Sequence, residues 1–286
     1  MIIDCHTHIS SGEGNVETSE HFAAAETVNA CIVLAQPSDS EKTSGKSVKD
    51  PNKQLSDYVG RYKEKMIGFA YVNPLVDKIN EKKITELREK LGLKGAVVYC
   101  SDCGFHPAHS DAMRFYQIAD ELGFAVFFHN AGFSLSSGAV LEYAQPYMLD
   151  EVAREFPSLK IIIGNMGVPF YEQALLIASR HENVYADLTI RPNNTWQTYN
   201  MVVTAHEYGV MDKLLFGSGF PAARSQECIE TLLGINMLLG DTGLPAVPRG
   251  SIKNIIERNS LKLLGIEHEV VKTPSQEVHS ATNKKQ

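Results

Sequence analysis

Short β-branched or aromatic runs alternate with longer amphipathic stretches from one end of this 286-residue chain to the other, and no other feature narrows its fold as much. Eight runs qualify as strands: Ile2 to His8, Ala30 to Gln36, Met66 to Val72, Gly95 to Tyr99, Ala125 to His129, Lys160 to Gly164, Val184 to Leu188 and Lys213 to Gly217. The stretches between them repeat apolar residues at helical spacing, as with Ile79, Ile84, Leu87 and Leu91 in Asp77 to Leu91. A second such stretch runs from Asp111 to Leu122. Strand and helix in strict alternation imply βαβ units around a parallel sheet. Eight such units predict an α/β fold of the (β/α)8 TIM-barrel type, formed as a single domain over residues 1–266. An open doubly wound sheet is the competitor, and it is disfavoured because no G-X-G-X-X-G follows the first strand. The tail, residues 267–286, loses apolar periodicity and is expected to be disordered.

In a barrel of this kind the chemistry gathers at the C-terminal ends of the strands. The first strand ends in Asp4-Cys5-His6-Thr7-His8, where alternation places Asp4, His6 and His8 on one face. The fifth ends in His129, sharing a face with Ala125 and Phe127. The fifth strand of a barrel lies across the interior from the first, so three imidazoles can converge on one centre. That set suits a zinc ion with open positions for substrate.

Composition excludes other classes. A formal net charge of -7, with 27 Lys and Arg scattered among 34 acids, offers no basic field for nucleic acid. No apolar run approaches the ~18 residues of a membrane span, and the first apolar stretch meets Asp4 too soon for a signal peptide. The expectation is a cytoplasmic protein that binds neither nucleic acid nor membrane. Five Cys, an odd number, fit a reducing compartment, and Cys100 with Cys103 form a single C-X-X-C that is weak as a zinc or redox signal.

Two loops exceed the usual βα length and are candidate substrate covers: Pro37 to Pro51 and Gly132 to Ala144. The loop after the fourth strand gathers Asp102, His106 and His109 near the expected barrel mouth. Arg191, Asn193 and Asn194 follow the seventh strand and Arg224 follows the eighth, where each is a candidate partner for an anionic substrate group. Asp187, on the seventh strand, reads as a base or as a hydrogen-bonded barrel carboxylate, with the structural role favoured. His21, His181 and His206 fall in helical stretches and are expected to be exposed, the last two at helix C-termini where the dipole attracts them.

The motifs resemble the amidohydrolase superfamily, in particular the amidohydrolase-related branch of aminocarboxymuconate-semialdehyde decarboxylase-like lyases and small lactonases. The resemblance is carried by DCHTHI at the start, GFAYVNP at Gly68 to Pro74, LGLKG at Leu91 to Gly95 and AQPYMLDEVAREFPSLKIIIGNMG at Ala144 to Gly167. It continues through NVYADL at Asn183 to Leu188, LLFGSGFP at Leu214 to Pro221 and RNSLKLLGI at Arg258 to Ile266. It implies a divalent metal held by the two His of the first strand, a His after the fifth and an Asp after the eighth, with another His after the sixth. The Asp doubles as the base that activates water, and relatives are often dimers.

Carried over by position, His6, His8 and His129 match, whereas the sixth-strand His is Asn165 and the eighth-strand Asp is Gly219. Glycine can neither bind metal nor accept a proton, so the usual base is missing. Asn165 can still orient an oxygen through its amide. The resulting expectation is a hydrolase or C–C lyase acting on a small organic acid, ester, lactone or amide, as a possible homodimer. His6, His8 and His129 would hold a divalent metal, zinc in the first instance. Asp102, His106 and Asn165 are the candidate catalytic residues, with Asp102 first as proton acceptor and His106 second. Two alternatives stay open: a metal-independent lactonase-like enzyme, and an inactive barrel that binds a metabolite or a protein partner.

Overall fold

The structure is a computed structural model and describes residues 1–9, 15–37 and 50–268. The expected cover loop Pro37 to Pro51 lies outside the described residues over 38–49, and the expected tail does so from 269 onward. Strands β1 (Ile3–His8), β2 (Ala30–Leu34), β3 (Met66–Tyr71) and β4 (Gly95–Val98) make the first half of the sheet. The second half is β5 (Ala125–Phe128), β6 (Ile161–Ile163), β7 (Val184–Thr189) and β8 (Leu214–Gly217). Each pairs in parallel with the next, in the order β1 to β8. The strand order never reverses, which rules out the doubly wound alternative.

Helices α1 (Asn15–Ala24), α2 (Pro51–Arg61), α3 (Glu81–Glu89) and α4 (Ser110–Glu121) follow the first four strands. After the next four come α5 (Asp150–Glu155), α6 (Tyr171–Arg180), α7 (Thr195–Glu207) and α8 (Ser225–Leu233), and α9 (Arg249–Ile256) and α10 (Ser260–Leu263) close the chain. Every strand residue is buried, as expected where helices cover one face of a parallel sheet and packed side chains fill the other. Local chemistry sets the helix starts. Asp50 caps α2 by accepting from Asn52 N and Lys53 N, and Pro51 sits at its first position. Asn80 caps α3 by accepting from Lys83 N, so this helix begins at Glu81 and not at Asp77.

The cylinder is closed by main-chain bonds between β1 and the turn after β8. His8 N donates to Phe220 O at 2.9 Å and Gly219 N donates to His6 O at 2.8 Å. Asp4 adds a clasp: its carboxylate accepts from Ser218 N at 3.0 Å and from Ser225 Oγ at 2.7 Å. Asp4 also accepts from His6 N at 3.3 Å, and its carboxylate is thereby committed to the closure. The β1–β2 pairing shifts register between Asp4 and Thr7. Burial pushes the Asp4 carboxyl upward against the hydrogen bonds that lower it.

Among the described residues no helix is long and apolar enough to cross a membrane. All five cysteines are free thiols, Cys100 buried and Cys103 half-buried.

Candidate metal and substrate centre

Strands β1 and β5 bring His6, His8 and His129 together at the C-terminal mouth, each offering one nitrogen within 4.8 Å of the others. Their rings meet edge to face, with centroids 4.9 Å apart for His6–His8, 5.5 Å for His6–His129 and 5.2 Å for His8–His129. Phe127 shares the β5 face with His129, as alternation predicts, and its ring packs edge-on to His6 at 4.9 Å. Tyr99 lies against His129 at 4.4 Å and anchors its own hydroxyl by donating to Ala35 O.

Hydrogen bonds at the far side of two rings fix what the near side presents. His6 Nδ1 meets Asp187 Oδ2 at 2.5 Å, and His8 Nδ1 meets Leu34 O at 3.3 Å. A carbonyl oxygen only accepts and Asp187 is the natural acceptor for His6, so both Nδ1 atoms carry the proton, an assignment made from the network. Both Nε2 atoms are then bare, and they face each other at 3.0 Å. Two lone pairs at that separation repel unless a cation lies between them. Burial, and next the nearness of a second titratable imidazole in His6, hold His8 toward the neutral form that ligates metal. Burial followed by His8 and His6 does the same for His129, whose Nδ1 is buried without a partner. The donor set thus fits a divalent ion.

Asp187 organises this corner. Its Oδ2 also accepts from Thr189 Oγ1 at 2.5 Å and from Asn165 N at 3.0 Å, while its Oδ1 is buried without a hydrogen-bond partner. Close packing makes room for it: a β-carbon on Gly217 would collide with Asp187 Oδ1 and stand 2.9 Å from His6 Cβ. Asn165 is buried, in a left-handed turn at φ 49°, and its amide packs against Gly132 after β5.

The remaining candidates fall elsewhere. Asp102 accepts from Ser136 Oγ at 3.2 Å, while His106 Nδ1 accepts from Ala108 N within its own loop. Neither touches the imidazoles. His109 is the N-cap of α4, accepting from Asp111 N, so its place in the loop is explained by the helix it starts. The 132–144 loop is tied to the β4 loop by Val140 N donating to Ser101 O. His21 is buried, not exposed: its Nδ1 pairs with Tyr58 Oη at 2.7 Å, because α1 and α2 pack together there. His181 is half-buried at the end of α6, paired to Asp150 at 2.8 Å, and His206 sits in the last turn of α7.

Sequence reasoning missed Thr189 and the support from Tyr99. Alternation from Asp187 would have found Thr189, two residues further along the same face of β7.

The family model described as Amidohydrolase matches residues 3–266, and the chain belongs to that family. No curated protein matches the sequence. Among solved structures, the chain is similar to a probable 2-pyrone-4,6-dicarboxylic acid hydrolase from Acinetobacter baumannii with citric acid bound. That match has 15% identity and a TM-score of 0.64, covering 93% of this chain and 99% of the other. It is similar also to 2,6-dihydroxybenzoate decarboxylase from Rhizobium, at 13% identity and a TM-score of 0.64, covering 92% and 98%. A third is 5-carboxyvanillate decarboxylase from Novosphingobium aromaticivorans, complexed with manganese and 4-hydroxy-3-methoxy-5-nitrobenzoic acid. There the identity is 12% and the TM-score 0.64, covering 93% and 96%. At such identities these likenesses describe the shared barrel.

Proposed function

We propose that the chain is a hydrolase or C–C lyase for a small organic compound bearing a carboxylate or carbonyl, working through a reduced site of three imidazoles. The observation that carries this reading is the facing pair of bare nitrogens, His6 Nε2 and His8 Nε2, at 3.0 Å, with His129 beside them. His6, His8 and His129 would hold the cation, and three neutral nitrogens suit zinc ahead of harder ions. A divalent ion there acts as a Lewis acid toward a carboxylate or carbonyl oxygen.

The protein's own groups do the rest. Asp187 holds the His6 ring in one tautomer and orientation. Asn165, in the turn after β6, orients a substrate oxygen through its amide. Asp102 is the proposed proton acceptor and His106 the second; Asp102 lies close enough to Tyr99, whose ring packs against His129, to add to the burial that raises that phenol.

A second, metal-independent lactonase-like reading draws on one observation, the cationic Arg191 against Gly219, whose N–H donates to His6 O. Elemental analysis separates the two. The purified protein is expected to carry about one divalent ion per chain, and His129→Ala to lose it with an unchanged circular dichroism spectrum. A wild-type protein that takes up neither zinc nor manganese on incubation would sink the three-imidazole reading.

A further inference from the structure

The turn after β8 lacks the acid that the superfamily resemblance implies, yet the space is in use. A β-carbon on Gly219 would stand 3.3 Å from Arg191 Nη1, 3.7 Å from Arg191 Cζ and 2.7 Å from Thr189 Cγ2. The guanidinium therefore lies where a side chain at residue 219 would begin. Arg191 is half-buried, and among the described residues no carboxylate lies within ion-pair distance of it. Its neighbours tie it to the same pocket: Thr189 Oγ1 lies 2.9 Å from His6 Nδ1, and Gly219 N donates to His6 O at 2.8 Å. The acid that touches the trio, Asp187, has its Oδ2 committed to His6, Thr189 and Asn165. A planar guanidinium with five donors and no anionic partner, at the edge of an imidazole cluster, is built to receive a carboxylate.

We propose that Arg191 binds a carboxylate of the substrate at the edge of the imidazole cluster, so that the anion missing at residue 219 arrives with the ligand. This rests on reading the three imidazoles as the reaction centre. It narrows the substrate to a compound with a free carboxylate, because an ester, lactone or amide without one carries no charge for the guanidinium to hold.

The test compares charged and uncharged ligands of the same shape by calorimetry on the protein as purified: benzoate with benzamide, and succinate with succinamide. The wild type is expected to prefer the acid of at least one pair by about tenfold or more. Arg191→Gln should lose that preference and Arg191→Lys should keep part of it. A second pair varies the other partner. Asp and Asn both tolerate the left-handed backbone at Gly219, where φ is 65°. Gly219→Asp should compete with the free acid for the guanidinium and weaken its binding, whereas the near-isosteric Gly219→Asn should weaken it far less.

Equal or undetectable binding of acid and amide by the wild type overturns the proposal, as does an unchanged preference in Arg191→Gln. His129→Ala distinguishes this failure from that of the wider reading. Loss of acid preference in Arg191→Gln with the cation still bound is the expected result. A wild type that binds no cation but prefers the acid would remove the three-imidazole reading and leave Arg191 as an anion site.

Discussion

A single hydrogen atom, the side chain of Gly217, decides whether Asp187 can reach His6. A methyl group there would displace the carboxylate and crowd the His6 β-carbon. Gly217→Ala is therefore expected to cost about 1–3 kcal/mol by overpacking, read by urea unfolding. It should also weaken zinc binding by about 10- to 100-fold, because the ring loses the partner that fixes its orientation. Zinc affinity unchanged in a folded variant would break the link between Asp187 and metal binding. At this scale the sequence was partly legible. His6, His8 and His129 could be found because alternation along a strand and the position of the fifth strand opposite the first are local and topological rules. The Arg191–Gly219 contact could not, because it depends on how far the turn after β8 rises beside the end of β7. His21 was misread for a related reason: its partner Tyr58 lies on a different helix, and nothing in α1 alone announces it.

Among the elements, the exit from β6 is the most unusual. Asn165 (φ 49°, ψ 35°) and Met166 (φ 47°, ψ 26°) both take left-handed backbone, at a cost of about 1–2 kcal/mol per residue for L-amino acids. The turn persists because its surroundings hold it: Asp187 Oδ2 takes the Asn165 N–H, and the Met166 side chain is fully buried. Such strain gathers where geometry serves function. Asn165→Gly should leave unfolding free energy within about 1 kcal/mol of wild type, since relief of strain offsets the added freedom of the unfolded chain. Turnover or acid binding should nevertheless fall, since the amide is gone. An equal loss in stability would make Asn165 a packing residue. Eight strands were legible to within one or two residues because buried parallel strands are continuous apolar runs. The strained turn was not, since Asn tolerates such backbone but Met carries no signal for it.

For the molecule as a whole, acid stability should report on the α1–α2 seam. Burial, and then the charge of Lys65, lower His21 to about 4, against an ordinary imidazole value of 6.5. Between those values the unfolded chain binds the proton and the folded one does not. Stability is thus fully present above pH 6.5 and declines as pH falls toward 4, by at most about 3 kcal/mol. His21→Gln should flatten this part of the profile relative to wild type in urea unfolding at pH 7, 5 and 4. Parallel profiles would show that His21 is not the group responsible. The closure between β1 and the turn after β8, through His6 O, Gly219 N, His8 N and Phe220 O, has a different bearing. The hoop is welded shut through the backbone of two of the residues whose rings would grip a guest, and through the glycine that yields to Arg191. A cation gripped by those rings would bind only the closed hoop, so loading the centre is expected to raise the free energy of unfolding.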